Sequence, residues 1–241
     1  MAKHIARIYC PQLFGEFFYI VESQLIHLVS VLKVQKNEKF IAFNEEVGEW
    51  LCTVVSVEKG KLLAKRLELL RAISLEREKL ALAFCVIKPD KTKFLMEKCT
   101  ELGVTDFYPL ISRYTNYNVN LSKSKLIVTG AAEQSERLDI PHIHSETKFE
   151  NFVNDLPLNF NWISAVERQI SKSILDIEIV PHMNYGFIIG PEGGFSQTEI
   201  ELLLEKTIQV TLSNNILRSE TAAISCISVF NVLMRKRSSS D

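Results

Sequence analysis

Paired cysteines are missing from this chain. Its five cysteines (Cys10, Cys52, Cys85, Cys99, Cys226) are odd in number, scattered, and never form a Cys-x-x-Cys pair. Disulfide frameworks and zinc ribbons need paired or closely spaced cysteines, so these are expected to be reduced thiols, mostly in the core. Metal-ligand spacing is absent as well. Of the five histidines (His4, His27, His142, His144, His182), only His142 and His144 could share a strand face, and no third ligand stands near them. No metal is expected. Long hydrophobic runs are also lacking: the longest, AAISCISVFNVLM, is too short to span a bilayer, and the start, MAKHIARIYCPQ, has no apolar stretch of signal-peptide length. The expectation is a cytoplasmic protein with no membrane partner.

An excess of one charge is missing too. The 28 basic and 29 acidic side chains give a formal net charge of −1, so a nucleic-acid surface must come from uneven placement of charge. Basic clusters lie at 33–39, 59–66, 88–93, 123–125 and in the tail; most such runs are solvated faces.

What is present is a chain of 241 residues, 46% hydrophobic and 24% charged, as in ordinary globular proteins. The first seventy residues are rich in short β-type runs. IARIYC and EFFYIV are separated by Pro11 and Gly15; EKFIAFN, GEWLCTVVSVEK and KLLAKRLELL are punctuated by Gly48 and Gly60. SQLIHLVSVLKV has apolar spacing that suits a short helix with Ser23 as its N-cap. Several short strands with one helix suggest a small closed barrel. From about Leu75 the rhythm changes. LALAFCVI is continuously apolar, as in a strand buried on both faces, and KTKFLMEKCTELG is a helix stopped by Gly103. FYPLIS, WISAVE, GFIIG and QVTLS follow as strands interleaved with helices, which argues for an α/β domain with a largely parallel sheet. The expected domains are 1–72 and 73–241.

Two turns carry the chemistry. In IIGPEGGFSQTEIELL an apolar strand stops at Gly190, passes Pro191, Glu192, Gly193 and Gly194, and restarts as a helix with Ser196 and Glu199 spaced as a capping box. No Gly-Lys-Ser/Thr follows, so this is not a phosphate-binding P-loop, and Gly-x-Gly-x-x-Gly is not present either. A glycine turn holding an acid suits a neutral or cationic ligand that takes hydrogen bonds from bare backbone. About twenty residues later, LSNNILRSETAAISCISVF breaks a short strand at Asn214 and Asn215 and begins a long helix, with Ser219 as a natural N-cap and Glu220 in its first turn. Two strand-to-helix turns of this kind make a composite ligand site.

IGPEGGFS followed by ILRSETA resembles the signature pair of the RsmE family, the 16S ribosomal RNA uracil-N3 methyltransferases of the SPOUT class. EKCTELGV, AAEQSERLDIP and, in the first domain, His27 with VLK match further family segments. The resemblance implies a PUA-like, RNA-binding β-barrel followed by a SPOUT α/β domain with a C-terminal trefoil knot. It also implies S-adenosyl-L-methionine as methyl donor, 16S rRNA of the small ribosomal subunit as partner, and a homodimer. Periodicity alone would have suggested an ordinary open sheet. The sequence departs from the family where Leu212, Ser213, Asn214 and Asn215 replace Leu-Gly-x-Arg, and where Arg113, Tyr114 and Thr115 follow FYPLIS.

Methylation of a uridine at N3 needs an imide proton removed and the nitrogen aligned with a sulfonium methyl. A carboxylate could take the proton, and an arginine could stabilise charge on the uracil carbonyls. Arg218 is the leading candidate for the second role, and Glu220, Glu133 and Arg137 are candidates for base or orienting roles. For each of these acids a cap or surface role is an equal alternative. The expected cofactor-binding residues are Ile189, Gly190, Pro191, Glu192, Gly193, Gly194, Leu212, Ser213, Ile216, Leu217 and Thr221. Two other readings stay open: a catalytically inactive RNA-binding or ribosome-assembly factor on the same fold, and an α/β enzyme using a different nucleotide.

Overall fold

The computed structural model describes residues 5–74, 78–166, 172–180 and 182–238. The chain divides into two compact units, Met1–Arg77 with Ala132–Ile140, and Glu78–Ala131 with Pro141–Asp241.

The first unit is built on a five-stranded sheet. Its strands are β1 (Arg7–Tyr9), β2 (Phe17–Val21), β3 (Lys39–Asn44), β4 (Gly48–Glu58) and β5 (Lys61–Arg71), in the order β1-β3-β4-β5-β2. All neighbours are antiparallel except β1 and β3. Alternation along the strands puts Ile8, Phe18, Ile20, Phe40, Ala42, Val54 and Leu62 into one buried cluster with Leu28 from the helical segment. That segment differs from the sequence expectation. Helix α1 (Glu22–Ile26) begins one residue before Ser23, so Ser23 lies inside its first turn rather than capping it, and the chain continues as a π-helical turn over His27–Val31.

Arg7 organises the remainder of this unit. Its Nε donates to Glu49 Oε1 at 2.7 Å, while its Nη atoms donate to the carbonyls of Ala132, Glu133 and Arg137. Those carbonyls lie in and just beyond the last turn of a helix, where acceptors lack intrahelical donors. Arg71 bonds the other side of the same Glu49 carboxylate.

The second unit contains the strands β6 (Leu80–Cys85), β7 (Asp106–Ile111), β8 (His142–Ile143), β9 (Thr147–Lys148), β10 (Asn161–Ala165), β11 (Lys172–Ser173), β12 (Tyr185–Ile189) and β13 (Ile208–Thr211). Their order is β11-β13-β10-β12-β6-β7-β8, with β9 also on β7, and every pairing is parallel. The helices are α2 (Pro89–Glu101), α3 (Leu121–Gln134, whose last three residues count with the first unit), α4 (Phe149–Asn154), α5 (Gln197–Lys206) and α6 (Ser219–Ser238). All six residues of β6 and all five of β12 are buried, as expected for strands covered on both faces. On one face Ala81, Ala83, Cys85 and Ile188 pack with Phe149, Phe152 and Leu203 of α4 and α5. Phe187 meets Phe230 of α6 with ring centroids 5.4 Å apart. Gly103, at φ +98°, ends α2 in the left-handed conformation. The mixed α/β reading therefore holds. Among the described residues no helix is long and apolar enough to cross a membrane.

Candidate active site

In a parallel sheet of this kind, ligands bind beyond the carboxyl ends of the strands, where the chain leaves neighbouring strands in opposite directions. Here β6 and β12 are neighbours; the chain proceeds from β6 to β7 on one side, while β10 and β13 lie on the other. Four loops follow the carboxyl ends around this point: 86–88 after β6, 112–120 after β7, 190–196 after β12 and 212–218 after β13.

The 190–196 turn is exposed at Glu192, Gly193 and Gly194, while Pro191 and Ser196 are buried and anchor its ends. Gly194 lies at φ +73°, and its N–H donates to the carbonyl of Pro191 at 3.0 Å. The capping box forms as the spacing predicts: Ser196 N–H donates to Glu199 Oε2 at 2.7 Å, and Glu199 N–H to the Ser196 hydroxyl. The structure adds a contact that no local pattern announces. Glu199 is 1% exposed, and its Oε1 accepts the backbone N–H of Arg113, 2.9 Å away, from the loop after β7. One buried carboxylate thus fixes two of the four loops. Under them Cys85 is buried, and that burial pushes its thiol up to about 12.

The 212–218 turn is tied to the first by a single side chain. Ser219 Oγ donates to the carbonyl of Gly190 at 2.7 Å. This corrects the N-cap assignment: α6 begins at Ser219, and it is the Arg218 carbonyl that accepts from Ala222 N–H, so Arg218 holds the cap position and the serine hydroxyl is spent on the neighbouring turn. Ser213 Oγ accepts from Asn215 N–H at 3.1 Å and closes its own small turn. Asn214, Asn215, Ile216, Arg218 and Thr221 are exposed, with Ile216 at 61%; Leu212 and Leu217 are half-buried, and Ile189 is buried.

The two turns, Arg218 and Glu220 are assembled in the second unit. Glu220 is buried and pairs with Lys91 at 3.4 Å, a partner that the sequence showed only as part of a basic cluster. Glu133 and Arg137 belong to the first unit. Glu133 Oε1 accepts from Tyr9 N–H at 2.9 Å, its other oxygen lies 3.9 Å from His27, and burial raises its carboxyl above the usual range. Arg137 pairs with Asp139 at 2.6 Å.

Gly193 also has a close neighbour within the protein. A Cβ there would lie 3.1 Å from the Cβ of Tyr114 and 3.5 Å from its Cγ, so a side chain would press on the loop after β7. Among the described residues no three His, Cys, Asp or Glu side chains are grouped to hold a metal ion.

The second unit is a parallel α/β domain in which two strand-to-helix turns are joined by the Ser219–Gly190 hydrogen bond at the carboxyl ends of its strands. The model for the RNA methyltransferase domain matches residues 74–231, and that for the RNA methyltransferase PUA domain matches residues 23–65. A ribosomal RNA small subunit methyltransferase E from Rickettsia conorii is 34% identical over 218 residues, covering 86% of each chain. A protein from Legionella pneumophila, solved in complex with the bound cofactor S-adenosylmethionine, superposes with a TM-score of 0.85 at 28% identity, covering 95% of this chain and 98% of the other. The ribosomal RNA small subunit methyltransferase E of Neisseria gonorrhoeae, also bound to S-adenosylmethionine, gives 0.83 at 25% identity with the same coverage. The chain belongs to the ribosomal RNA small subunit methyltransferase E family of RNA methyltransferases.

Proposed function

We propose that this protein transfers the methyl group of S-adenosyl-L-methionine to N3 of a specific uridine in 16S ribosomal RNA of the small subunit. The observation that carries the proposal is the Ser219–Gly190 hydrogen bond, which holds two exposed turns side by side at the carboxyl ends of β12 and β13. The residues present suit the cofactor. Gly193 and Gly194 offer backbone without side chains, Ile216 offers an exposed apolar surface for an adenine face, and Glu192 places an exposed carboxylate where a cationic ligand is tolerated.

When bound, S-adenosylmethionine supplies an activated methyl on a positive sulfonium. Backbone at Ile189, Gly190, Glu192, Gly193, Leu212 and Leu217 is assigned to hold it, with Pro191, Gly194, Ser213, Ile216 and Thr221 lining the same turns. Arg218 projects its exposed guanidinium from the cap position of α6, suited to stabilise charge moving onto a uracil carbonyl. Glu220 is assigned an orienting role through Lys91, and Glu133 with Arg137 orient the 132–140 segment.

The proposal extends to domain bounds of 1–72 and 73–241, closure of the first sheet into a PUA-like barrel, a trefoil knot at the two turns, a homodimer and a cytoplasmic location. It rests on the resemblance of IGPEGGFS and ILRSETA to the family signatures, and light scattering tests the dimer. Calorimetry and thermal shift test the cofactor. Binding of S-adenosylmethionine, with protection by it and not by NAD or ATP, is expected; protection by NAD or ATP instead would overturn the assignment.

A further inference from the structure

Tyr114 is an exposed aromatic ring beside the proposed methyl-donor turn, and neither the turn nor the fold needs it for burial. The residue is 46% exposed. Its Cβ and Cγ lie against Gly193, at 3.1 and 3.5 Å from where a Cβ would stand. The neighbouring Arg113 places its guanidinium carbon 5.9 Å from the ring centroid. The loop that carries both is held firmly. Arg113 N–H donates to the buried Glu199 carboxylate, Thr115 Oγ1 accepts from Ser112 N–H at 3.1 Å, and the Ser112 and Thr115 hydroxyls are 2.9 Å apart. An aromatic side chain on an anchored loop, partly in solvent and in contact with a ligand turn, is positioned for a ligand rather than for the core.

We infer that Tyr114 is the stacking surface for the target base, with the Arg113 guanidinium lying beside it. The inference rests on the proposed function and extends it to the substrate. N3 lies on the Watson–Crick edge of uracil, so the reacting nucleotide must be unpaired or turned out of its helix. A base removed from its stack loses its neighbours' π-faces, and proteins replace them with Tyr, Phe, Trp or Arg planes. Tyr114 touches the turn assigned to the methyl donor, so a uracil stacked on its ring lies next to that turn. Stacking leaves the base edge free, which is what reaction at N3 requires.

The test compares Tyr114→Ala and Tyr114→Phe in the full-length protein, with small-subunit RNA as substrate and S-adenosylmethionine affinity measured by calorimetry. For Tyr114→Ala, kcat/KM toward RNA is expected to fall roughly tenfold to a hundredfold, the range that stacking of one base supplies. Cofactor affinity is expected to stay within about twofold, and Tyr114→Phe, which keeps the ring, to restore most of the loss. Wild-type kcat/KM in Tyr114→Ala would overturn the inference. So would a Phe variant as poor as Ala, because the hydroxyl and not the ring would then matter, and so would a parallel loss of cofactor affinity, which would make Tyr114 a support for the turn. If the wild-type chain itself transfers no methyl group to this RNA, the proposed function fails, and the inference falls with it.

Discussion

Replacing Glu199 with alanine should loosen both loops that this carboxylate holds. The side chain is 1% exposed and accepts two backbone N–H groups, from Ser196 at 2.7 Å and Arg113 at 2.9 Å. A hydrogen bond to a charged acceptor contributes about 1.5–3 kcal/mol, and a buried donor left without a partner loses close to the upper figure. Ser196 is buried, so its amide falls at that upper end; Arg113 is exposed and water can replace the carboxylate, so its amide falls at the lower end. The combined loss is therefore about 4.5 kcal/mol. It is concentrated in the start of α5 and in the 112–115 loop, so local opening reports it better than a global unfolding midpoint in a chain of two units. Amide hydrogen exchange should quicken by on the order of a hundredfold at Ser196 and about tenfold at Arg113, since each 1.4 kcal/mol is a factor of ten. Glu199→Gln keeps one acceptor and should retain part of the protection. Unchanged exchange at both amides in Glu199→Ala would refute the claim that one carboxylate anchors two loops.

Three further substitutions probe the rest of the structure. Arg7→Lys leaves a cation but gives up the planar fork that reaches Glu49 and three carbonyls at once, so urea unfolding should show a loss of about 3 kcal/mol. For Glu133, burial raises the folded carboxyl above its usual range, so its favourable contribution is complete below the unfolded pKa and is lost as pH rises through the folded one. Glu133→Gln holds the side chain neutral and should therefore be more stable than wild type near about pH 7, with the advantage vanishing near about pH 4 in urea melts. Gly186→Ala places a Cβ 2.5 Å from the ring of Trp162, its cross-strand partner on β10. That ring is boxed in by Phe152, Phe160 and Tyr108, so relief is costly; a loss of about 1–3 kcal/mol with altered tryptophan fluorescence is expected.

Much of this was legible in the sequence because the signals are local. The apolar run LALAFC read as a strand covered on both faces, GFIIG read as a strand, the Ser196–Glu199 spacing announced a capping box, and Gly103 marked the end of α2. What the sequence did not show depends on contacts between distant residues. Glu199 reaches Arg113 across 86 positions, and Arg7 reaches 125 to 130 positions ahead to the 132–140 segment. Ser219 has the residue type of an N-cap, yet it is the first residue of α6 and its hydroxyl is claimed by a carbonyl 29 residues earlier. Glu133 and Arg137 sit in a family motif put forward for base or orienting roles, and nothing local announced that this segment would count with the first unit. Tyr114 follows a strand as any loop residue does; only its contact with Gly193 singles it out.

The central claim is tested most directly by incubating the protein with labelled S-adenosylmethionine and small ribosomal subunits lacking the modification, then analysing the RNA nucleosides by mass spectrometry. The account predicts label in 3-methyluridine and in no other nucleoside. Cofactor binding without incorporation would contradict it, favour an RNA-binding factor on the same fold, and direct attention to Ser213 and Asn215.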